Sequence, residues 1–162
     1  MSYEPTSLYS EIAQNLFMGG TADDDVIHLP AARVKRDDLP FNSIVTMYAW
    51  ARPADWNIQE FRYGVPDASI KDIDLDRLRQ AVEFGYDRWK SGDRVLVRCQ
   101  AGLNRSGLVL ALILIKDGLE PAEAINRIRD NRGPDALFND NFHAWLLKEG
   151  EKFFSPSSQK AA

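Results

Sequence analysis

The stretch VLVRCQAGLNRSG, residues 95–107, contains the sole cysteine of the chain, and its composition suits anion binding. Cys99 ends an apolar run, and a turn rich in Gly, Asn and Ser leads into a second apolar run. A loop between the carboxyl end of a strand and the start of a helix directs backbone N–H groups and the positive helix end into one hollow. Such a hollow binds a dianion the size of phosphate and favours the thiolate form of a cysteine at its floor.

Three further residues of this stretch have side chains that suit the same chemistry. Gly102 lets the backbone curl with its amides inward, where a side chain would crowd the anion. Arg105, six residues after Cys99, can clamp two phosphoryl oxygens with its planar guanidinium, a geometry that lysine lacks. Ser106 can donate a hydrogen bond to the sulfur. The predicted anion-binding loop consists of Gln100, Ala101, Gly102, Leu103, Asn104 and Arg105.

The apolar pattern predicts the elements that position this loop. β-branched and aromatic runs predict strands at NLFMGG (15–20), FNSIVTMYAW (41–50), FRYGV (61–65) and RVLVRC (94–99). Apolar spacings of three and four predict helices over 72–90, from about 105 to 115, from Pro121 to about 131, and over 139–149. Strands that alternate with helices predict a single α/β domain, residues 1–150, with a mainly parallel sheet of four to five strands flanked by helices. Residues 151–162 are predicted to be a frayed tail.

Length, charge and cysteine content limit the classes of protein that fit. A chain of 162 residues, 44% of them hydrophobic, can bury one core. One cysteine forms no internal disulfide, and the sequence contains neither a signal-peptide pattern nor 18 consecutive apolar residues. We therefore expect a cytoplasmic protein. The net charge of −4 argues against broad binding of nucleic acid or anionic membrane, although it allows a small positive pocket.

The sequence predicts neither a metal site nor a cofactor. His28 and His143 belong to no cluster with ligand spacing. The acidic run Asp23–Asp25 is more typical of a solvated loop or a helix cap than of a metal site.

A carboxylate that can supply a proton is predicted in the segment YGVPDASIKDID. Asp67 follows a predicted strand and precedes Cys99 by 32 residues. A strand, a crossover helix and a parallel strand take about 30 residues, and they bring both strand ends to the same sheet edge. Asp67 is therefore expected above the hollow whose floor is Cys99. Asp72 and Asp74 are alternatives, but both stand at a helix start, where acidic residues act as caps.

The stretch CQAGLNRS, residues 99–106, resembles the signature of the protein tyrosine phosphatases: a cysteine, five residues, an arginine and a serine or threonine. The glycine at the third intervening position is similar to that of the dual-specificity branch. The similarity extends over about Glu11–Lys148, with EIAQNLFMGG resembling the first strand of that branch and FNDNFHAWL its closing helix. The resemblance implies a metal-free phosphatase that forms a phosphocysteine intermediate, with a general acid on an upstream loop, here Asp67.

One residue departs from the pattern of that family. A histidine usually precedes the cysteine, whereas this chain has Arg98. Because side chains alternate on a strand, Arg98 is expected to point away from Cys99, with a carboxylate or carbonyl as its partner. A guanidinium that reaches solvent from the strand end is an equal alternative.

Two further groups of residues admit two interpretations each. Trp50, Arg52 and Trp56 follow a predicted strand, so they form either a lip of the pocket or ordinary surface packing. The arginines of the third helix, Arg127, Arg129 and Arg132, are more typical of a solvated helix face than of an anion site.

Three functions remain open at this stage. The leading one is hydrolysis of phosphotyrosine, with phosphoserine and phosphothreonine as further substrates, in a protein or peptide. The second is hydrolysis of RNA 5′-triphosphate or inositol phosphates: GLNRSG resembles the loop of metal-independent RNA 5′-triphosphatases, but the acidic charge disfavours RNA and the loop lacks the lysines of phosphoinositide phosphatases. The third is a phosphate-binding module without catalysis, which the joint presence of Cys99, Arg105 and Asp67 argues against. A lone cysteine can also be an inert core residue, and the sequence leaves the oligomeric state open.

Overall fold

Five strands form one sheet in the computed structural model, which describes residues 8–21 and 40–155. They are β1 (Tyr9–Ala13), β2 (Leu16–Gly19), β3 (Ser43–Thr46), β4 (Gln59–Arg62) and β5 (Val95–Arg98). The spatial order is β1-β2-β5-β3-β4, in which β1 is antiparallel to β2 and the other pairs are parallel. The predicted α/β domain with a mainly parallel sheet is therefore confirmed.

Four α-helices accompany this sheet in the described part of the chain: α1 (Leu75–Lys90), α2 (Arg105–Lys116), α3 (Pro121–Arg132) and α4 (Asp140–Glu149). All four had been predicted, and the largest difference is at the start of α1. The Asp74 carboxylate accepts hydrogen bonds from the N–H groups of Asp76 and Arg77 and so caps α1, while Ile70–Asp72 forms a separate 3-10 turn. The predicted capping role of Asp74 is confirmed.

The strand predictions differ from the structure at two places. β4 begins at Gln59, which pairs with Ser43, so the strand lies upstream of the predicted 61–65. β1 was not predicted as a separate strand, because YSEIA has a half-exposed, mixed polar pattern and lies at the sheet edge. It forms a hairpin with β2 through Asn15, whose φ of 67° is a left-handed turn conformation.

The two faces of the sheet are covered by different parts of the chain. α1 and α2 pack on the face that carries Val45 and Val97, and these residues belong to the main hydrophobic core. On the opposite face, Ile44 and Leu96 form a smaller cluster with Ile58, which belongs to the connection from β3 to β4. Consecutive strand residues alternate between these faces. Arg98 and Cys99 are therefore separated at the point where β5 ends.

The prediction of a frayed tail is wrong for the part that the structure describes. Residues 152–154 form a 3-10 turn, and Phe153 is only 2% exposed. Its ring lies edge-on to Trp145 with centroids 5.6 Å apart, and the Arg79 guanidinium lies 4.5 Å from the ring centre. Aromatic burial thus outweighs the entropy of a free end here. Residues 156–162 lie outside the described range.

No helix among the described residues is both long enough and apolar enough to cross a membrane.

Candidate active site

The carbonyl groups of the loop between β5 and α2 accept hydrogen bonds from neighbouring segments and from α2 itself. The bonds run from Thr21 N–H to the Gln100 carbonyl (3.0 Å), from Arg132 to Ala101 (3.3 Å) and Gly102 (3.0 Å), from Leu137 N–H to Leu103 (3.0 Å), and from Leu108 N–H to Asn104 (2.8 Å). In a trans peptide the C=O and the next N–H point in opposite directions. This arrangement leaves the N–H groups of residues 101–105 available to face the inside of the curl, where the sequence predicts an anion hollow.

Gly102 is required in this loop for its backbone conformation, as predicted, and also for a close contact that was not predicted. Its φ is +75°, a conformation that side-chain-bearing residues rarely adopt. An added Cβ would lie 2.7 Å from the Gly19 carbonyl oxygen and 2.5 Å from the Arg132 guanidinium. A side chain at this position would thus clash with the backbone of β2 and with a buried arginine.

Cys99 is buried at the point where β5 ends and the anion loop begins. The residue is 2% exposed, and its N–H donates to the Gly19 carbonyl at 3.2 Å, which fixes the end of β5 against β2. Its Sγ is 3.3 Å from the Oγ of the fully buried Ser106. The hydrogen bond runs from the Cys99 thiol to the Ser106 oxygen, and once the thiol is ionised the same contact allows the Ser106 hydroxyl to donate to the sulfur.

Arg105, the first residue of α2, has its guanidinium held from two sides. The Nη1 donates to the Val65 carbonyl at 3.3 Å, and the guanidinium carbon lies 5.2 Å from the centre of the Tyr48 ring. Its Nε is buried and has no hydrogen-bond partner among the described residues. A buried donor without a partner is costly, so the geometry favours an anionic ligand at this position.

Asp67 is bound directly to the anion loop by two amide side chains. Its Oδ2 accepts a hydrogen bond from Asn104 Nδ2 at 3.0 Å, and its Oδ1 accepts one from Asn139 Nδ2 at 2.7 Å. The Asn139 N–H in turn donates to the Asn104 Oδ1 at 2.9 Å. Because Asn104 belongs to the anion loop and immediately precedes Arg105, this network connects the Asp67 carboxylate to that loop. Asp74 is bound elsewhere as a helix cap.

Arg132 is the site residue that the sequence reasoning missed. It is buried at the end of α3, and besides its bonds to the two loop carbonyls its Nη1 donates to Ser10 Oγ at 3.0 Å. Burial lowers its pKa to about 10, and the nearby Cys99 acts in the opposite direction. The helical spacing could have indicated that Arg132 is buried. It lies seven residues after Ile125 and four after Ile128, on the inward face of the helix.

The other two arginines of α3 differ from each other: one binds a neighbouring turn and the other lies in solvent. Arg129 donates to the carbonyls of Ala136 and Leu137 at 2.9 and 3.1 Å and so holds the turn after the helix. Arg127 is exposed, as predicted. The prediction of a solvated face is wrong for Arg129 and Arg132.

Arg98 lies on the sheet face opposite to the anion hollow. It is 0% exposed, and its guanidinium bonds to Thr46 Oγ1 at 3.0 Å, to Glu60 Oε2 at 3.2 Å and to the Arg52 carbonyl. The expectation that it points away from Cys99 towards a carboxylate and a carbonyl is confirmed, and the alternative of a solvated guanidinium is excluded.

The two tryptophans after β3 are not packed on the surface. Trp50 and Trp56 are 85% and 84% exposed. Trp50 follows the carboxyl end of β3. Because β3 and β5 are parallel, the anion loop after β5 lies at the same end of the sheet. Trp56 lies three residues before Gln59, which pairs with Ser43 at the amino ends of the parallel strands. The structure therefore separates the predicted lip residues. Trp56 lies towards the end of the sheet where the parallel strands begin, opposite to the end at which the anion loop lies.

The described residues contain no group of three His, Cys, Asp or Glu side chains able to hold a metal ion. Burial and the charge of Arg129 lower the pKa of His143, and Asp140 offsets them only in part. His28 and Asp23–Asp25 lie outside the described residues.

The chain is similar to known proteins along most of its length. Residues 35–152 match the family described as dual specificity phosphatase, catalytic domain. The Invertebrate iridescent virus 6 protein named "Putative tyrosine phosphatase 123R" is 24% identical over 157 residues, which cover 93% of this chain and 99% of the viral protein.

Two solved structures illustrate the shared fold. Human DUSP28 has a TM-score of 0.73 at 22% identity, covering 92% of this chain and 97% of that chain. PTPMT1 in complex with PI(5)P has a TM-score of 0.67 at 18% identity, covering 96% of this chain and 100% of that chain.

The family match covers more than half of the chain and includes the anion loop with Cys99 and Arg105 as well as Asp67. The fold comparison agrees with it, because the similarity extends over nearly the whole of each structure. This chain therefore belongs to the dual specificity phosphatase family, and it is a cysteine-dependent phosphatase.

Proposed function

We propose that the chain hydrolyses phosphotyrosine in proteins or peptides, with phosphoserine and phosphothreonine as further substrates, through a phosphocysteine intermediate. The observation that carries the proposal is that the carbonyls of residues 100–104 are all bound to other protein groups, which leaves the N–H groups of residues 101–105 for a phosphoryl group, together with the unpartnered Arg105 Nε. These donors meet the phosphoryl oxygens from several directions. All the charge of the phosphoryl group is then met by protein donors, so the proposed reaction uses no metal or cofactor.

In the first step the Cys99 thiolate attacks phosphorus, and an S–P bond forms as the bond from phosphorus to the tyrosine oxygen breaks. The leaving oxygen takes a proton from the Asp67 carboxyl group. Asn104 and Asn139 hold this carboxyl group at the mouth of the hollow, where a departing side chain emerges.

In the second step the Asp67 carboxylate removes a proton from water, and the resulting hydroxide attacks phosphorus as the S–P bond breaks. The products are inorganic phosphate and the Cys99 thiolate, and Asp67 is protonated again for the next turnover. Ser106, 3.3 Å from the sulfur, stabilises the departing thiolate by donating its hydroxyl proton in a hydrogen bond. A thiolate of this kind must stay reduced, which supports the predicted cytoplasmic location.

The assignment of the nucleophile and the clamp is tested by two substitutions. Cys99→Ser is expected to abolish turnover while phosphate still binds, because the amides and Arg105 remain. Arg105→Lys is expected to lower kcat at least about a hundredfold, because the planar fork is lost although the charge stays. The matched control is Arg127→Lys on the exposed face of α3, with no change expected. Substantial turnover by Cys99→Ser would refute the mechanism.

A substrate panel separates the proposed substrate from the second candidate. The fold shared with PTPMT1, solved with PI(5)P, keeps inositol lipid phosphates as the alternative. The anion loop, residues 100–105, contains no lysine to bind the additional phosphates of such a ligand. We expect kcat/KM to be highest for a phosphotyrosyl peptide and lower for a phosphoseryl peptide, RNA 5′-triphosphate and inositol phosphates. A preference for an inositol phosphate would overturn the protein-substrate assignment.

A further inference from the structure

The segment after β3 borders the anion hollow and forms a lip, which we define as residues 48–52. Tyr48 stacks on the Arg105 guanidinium. The Ala51 N–H donates to the Tyr48 carbonyl at 3.2 Å, so residues 48–51 form a tight turn with Trp50 at its third position. Two residues span at most about 7 Å. Trp50 is therefore close to the ring that stacks on the phosphate-binding arginine.

A charged cluster, consisting of the buried Arg98 and the partly exposed Glu60 and Arg62, fixes the backbone of the lip. Its bonds to the main chain are from Arg98 to the Arg52 carbonyl, from Arg62 to the Ala51 carbonyl at 2.7 Å and, just beyond the lip, from the Ala54 N–H to the Glu60 carboxylate at 3.1 Å. Within the cluster, Glu60 lies 3.2 Å from Arg98 and 3.1 Å from Arg62. Arg98 replaces the usual histidine of the family, so this anchor comes from the feature in which the chain departs from its relatives.

The charge of Glu60 that holds the cluster together is maintained at neutral pH. Burial raises the pKa of its carboxyl group, but hydrogen bonds from Thr46 and the Ala54 N–H, with the charges of Arg62 and Arg98, outweigh burial and lower the pKa below 4.5. The ion pairs are therefore present under the conditions in which the enzyme acts.

The same fixed backbone leaves two side chains of the lip, Trp50 and Arg52, in solvent. Trp50 is almost fully exposed and Arg52 is exposed, whereas Trp89 and Trp145 pack against other parts of the fold. Holding a loop in one conformation before a ligand arrives reduces the entropy lost on binding. Tryptophan and arginine are also the residues that contribute most at binding surfaces. A rigid backbone with exposed side chains of these types, beside a catalytic hollow, fits a substrate-binding surface.

We propose that Trp50 and Arg52 bind the peptide that flanks the phosphorylated residue, and that Arg98 is a positioning residue for this lip. An apolar side chain of the substrate packs on the Trp50 indole, and an acidic side chain pairs with the Arg52 guanidinium. A peptide is favoured over an anionic membrane because the chain has a net charge of −4. The proposal rests on the proposed function, since it names the part of the substrate that lies outside the hollow.

The test compares three substrates of the full chain: a phosphotyrosyl peptide with Leu and Glu beside the phosphotyrosine, the same peptide with Ala at both positions, and p-nitrophenyl phosphate. For each variant, kcat/KM for the Leu/Glu peptide is divided by kcat/KM for p-nitrophenyl phosphate. We expect Trp50→Ala to lower this ratio about tenfold, because KM for the peptide rises. The matched control is Trp56→Ala, because Trp56 has the same side chain and exposure on the same connection but lies towards the other sheet edge. It should leave the ratio unchanged.

Charge reversal tests the second contact independently. Arg52→Glu is expected to lower kcat/KM for the Leu/Glu peptide and to raise it for a peptide with Lys in place of Glu. Arg98→Lys keeps a charge but cannot bond at once to Thr46, Glu60 and the Arg52 carbonyl, so the peptide ratio should fall as it does in Trp50→Ala. The Trp50 and Arg52 variants keep the proposal testable if Arg98→Lys fails to fold.

The outcomes distinguish this proposal from the function on which it rests. If the wild-type chain turns over no phosphopeptide, the proposed function fails and the lip proposal fails with it. If it turns over the peptides but Trp50→Ala and Arg52→Glu leave the ratios unchanged, the lip proposal alone is refuted. A loss confined to phosphoinositide vesicles, without loss on peptides, would assign the lip to a membrane surface and overturn the peptide assignment.

Discussion

Two carbonyls of the anion loop are bound by one side chain from a distant helix, so replacing that side chain should impair catalysis as well as stability. Arg132 donates from three different nitrogens to the Gly102 carbonyl at 3.0 Å, the Ala101 carbonyl at 3.3 Å and Ser10 Oγ at 3.0 Å. The ammonium of Arg132→Lys is a single point and reaches only part of this set. At least one buried, charge-assisted hydrogen bond is lost, at a cost of about 1.5–3 kcal/mol.

This loss is expected in two measurements. The free energy of unfolding should fall by about 2 kcal/mol, which lowers Tm by about 4–8 °C for a chain of this size. A loop carbonyl that loses its bond to Arg132 also allows its peptide plane to rotate. The N–H group on that plane then no longer donates a hydrogen bond to the phosphoryl oxygens. One donor to the transition state contributes about 10²–10³ in kcat when lost completely, so we expect kcat to fall about 10- to 100-fold.

The assay is kcat with p-nitrophenyl phosphate, measured at least about 15 °C below the Tm of the variant so that the protein stays folded. Tm is measured in parallel by circular dichroism. The control is again Arg127→Lys, which changes the same residue type on the exposed face of the same helix. A fall in Tm with kcat unchanged would show that Arg132 supports the fold only, and the argument that it orients the loop amides would be refuted.

Three further predictions concern other parts of the structure. Gly102→Ala is expected to lower both kcat, by more than about tenfold, and Tm, because a Cβ costs about 1–2 kcal/mol at positive φ and meets the Gly19 backbone at 2.5 Å; normal kinetics would contradict the tight contact with β2. Asp67→Asn should lose more activity on phosphotyrosine than on p-nitrophenyl phosphate, whose leaving group needs little protonation; equal losses, measured as kcat for both substrates, would exclude Asp67 as the acid. Glu60→Gln should lower Tm, and because the pKa of Glu60 is lowered below 4.5 in the fold, the difference from wild type should be complete above that pH and disappear as the pH falls through the folded pKa. A difference in Tm that stays constant from about pH 3 to pH 7 would show that the charge of Glu60 is not what stabilises the cluster.

Features that depend on neighbouring residues were predictable from the sequence alone. The candidate site residues of the anion loop lie within eight consecutive positions: Cys99, Gly102, Arg105 and Ser106. The apolar runs on either side predict the strand and the helix. Alternation along β5 was sufficient to place Arg98 away from Cys99, whereas only the structure decided between a buried carboxylate partner and solvent. Asp67 was also predictable, because the length of a strand–helix–strand unit limits where its ends meet.

Contacts between segments distant in sequence were decided only by the tertiary structure. Arg132 binds carbonyls about 30 residues upstream, and a basic residue on a helix has the same local pattern whether it contacts a loop or water. Trp50 and Trp56 are equivalent in the sequence, yet the connection carries them towards opposite sheet edges. The partners of Asp67 come from two different loops, and Phe153 is buried because α1 and α4 happen to offer it a surface. In each case the local sequence fixes the type of side chain, whereas the path of the rest of the chain fixes its partner, because burial and hydrogen bonding depend on whatever surrounds the side chain in space.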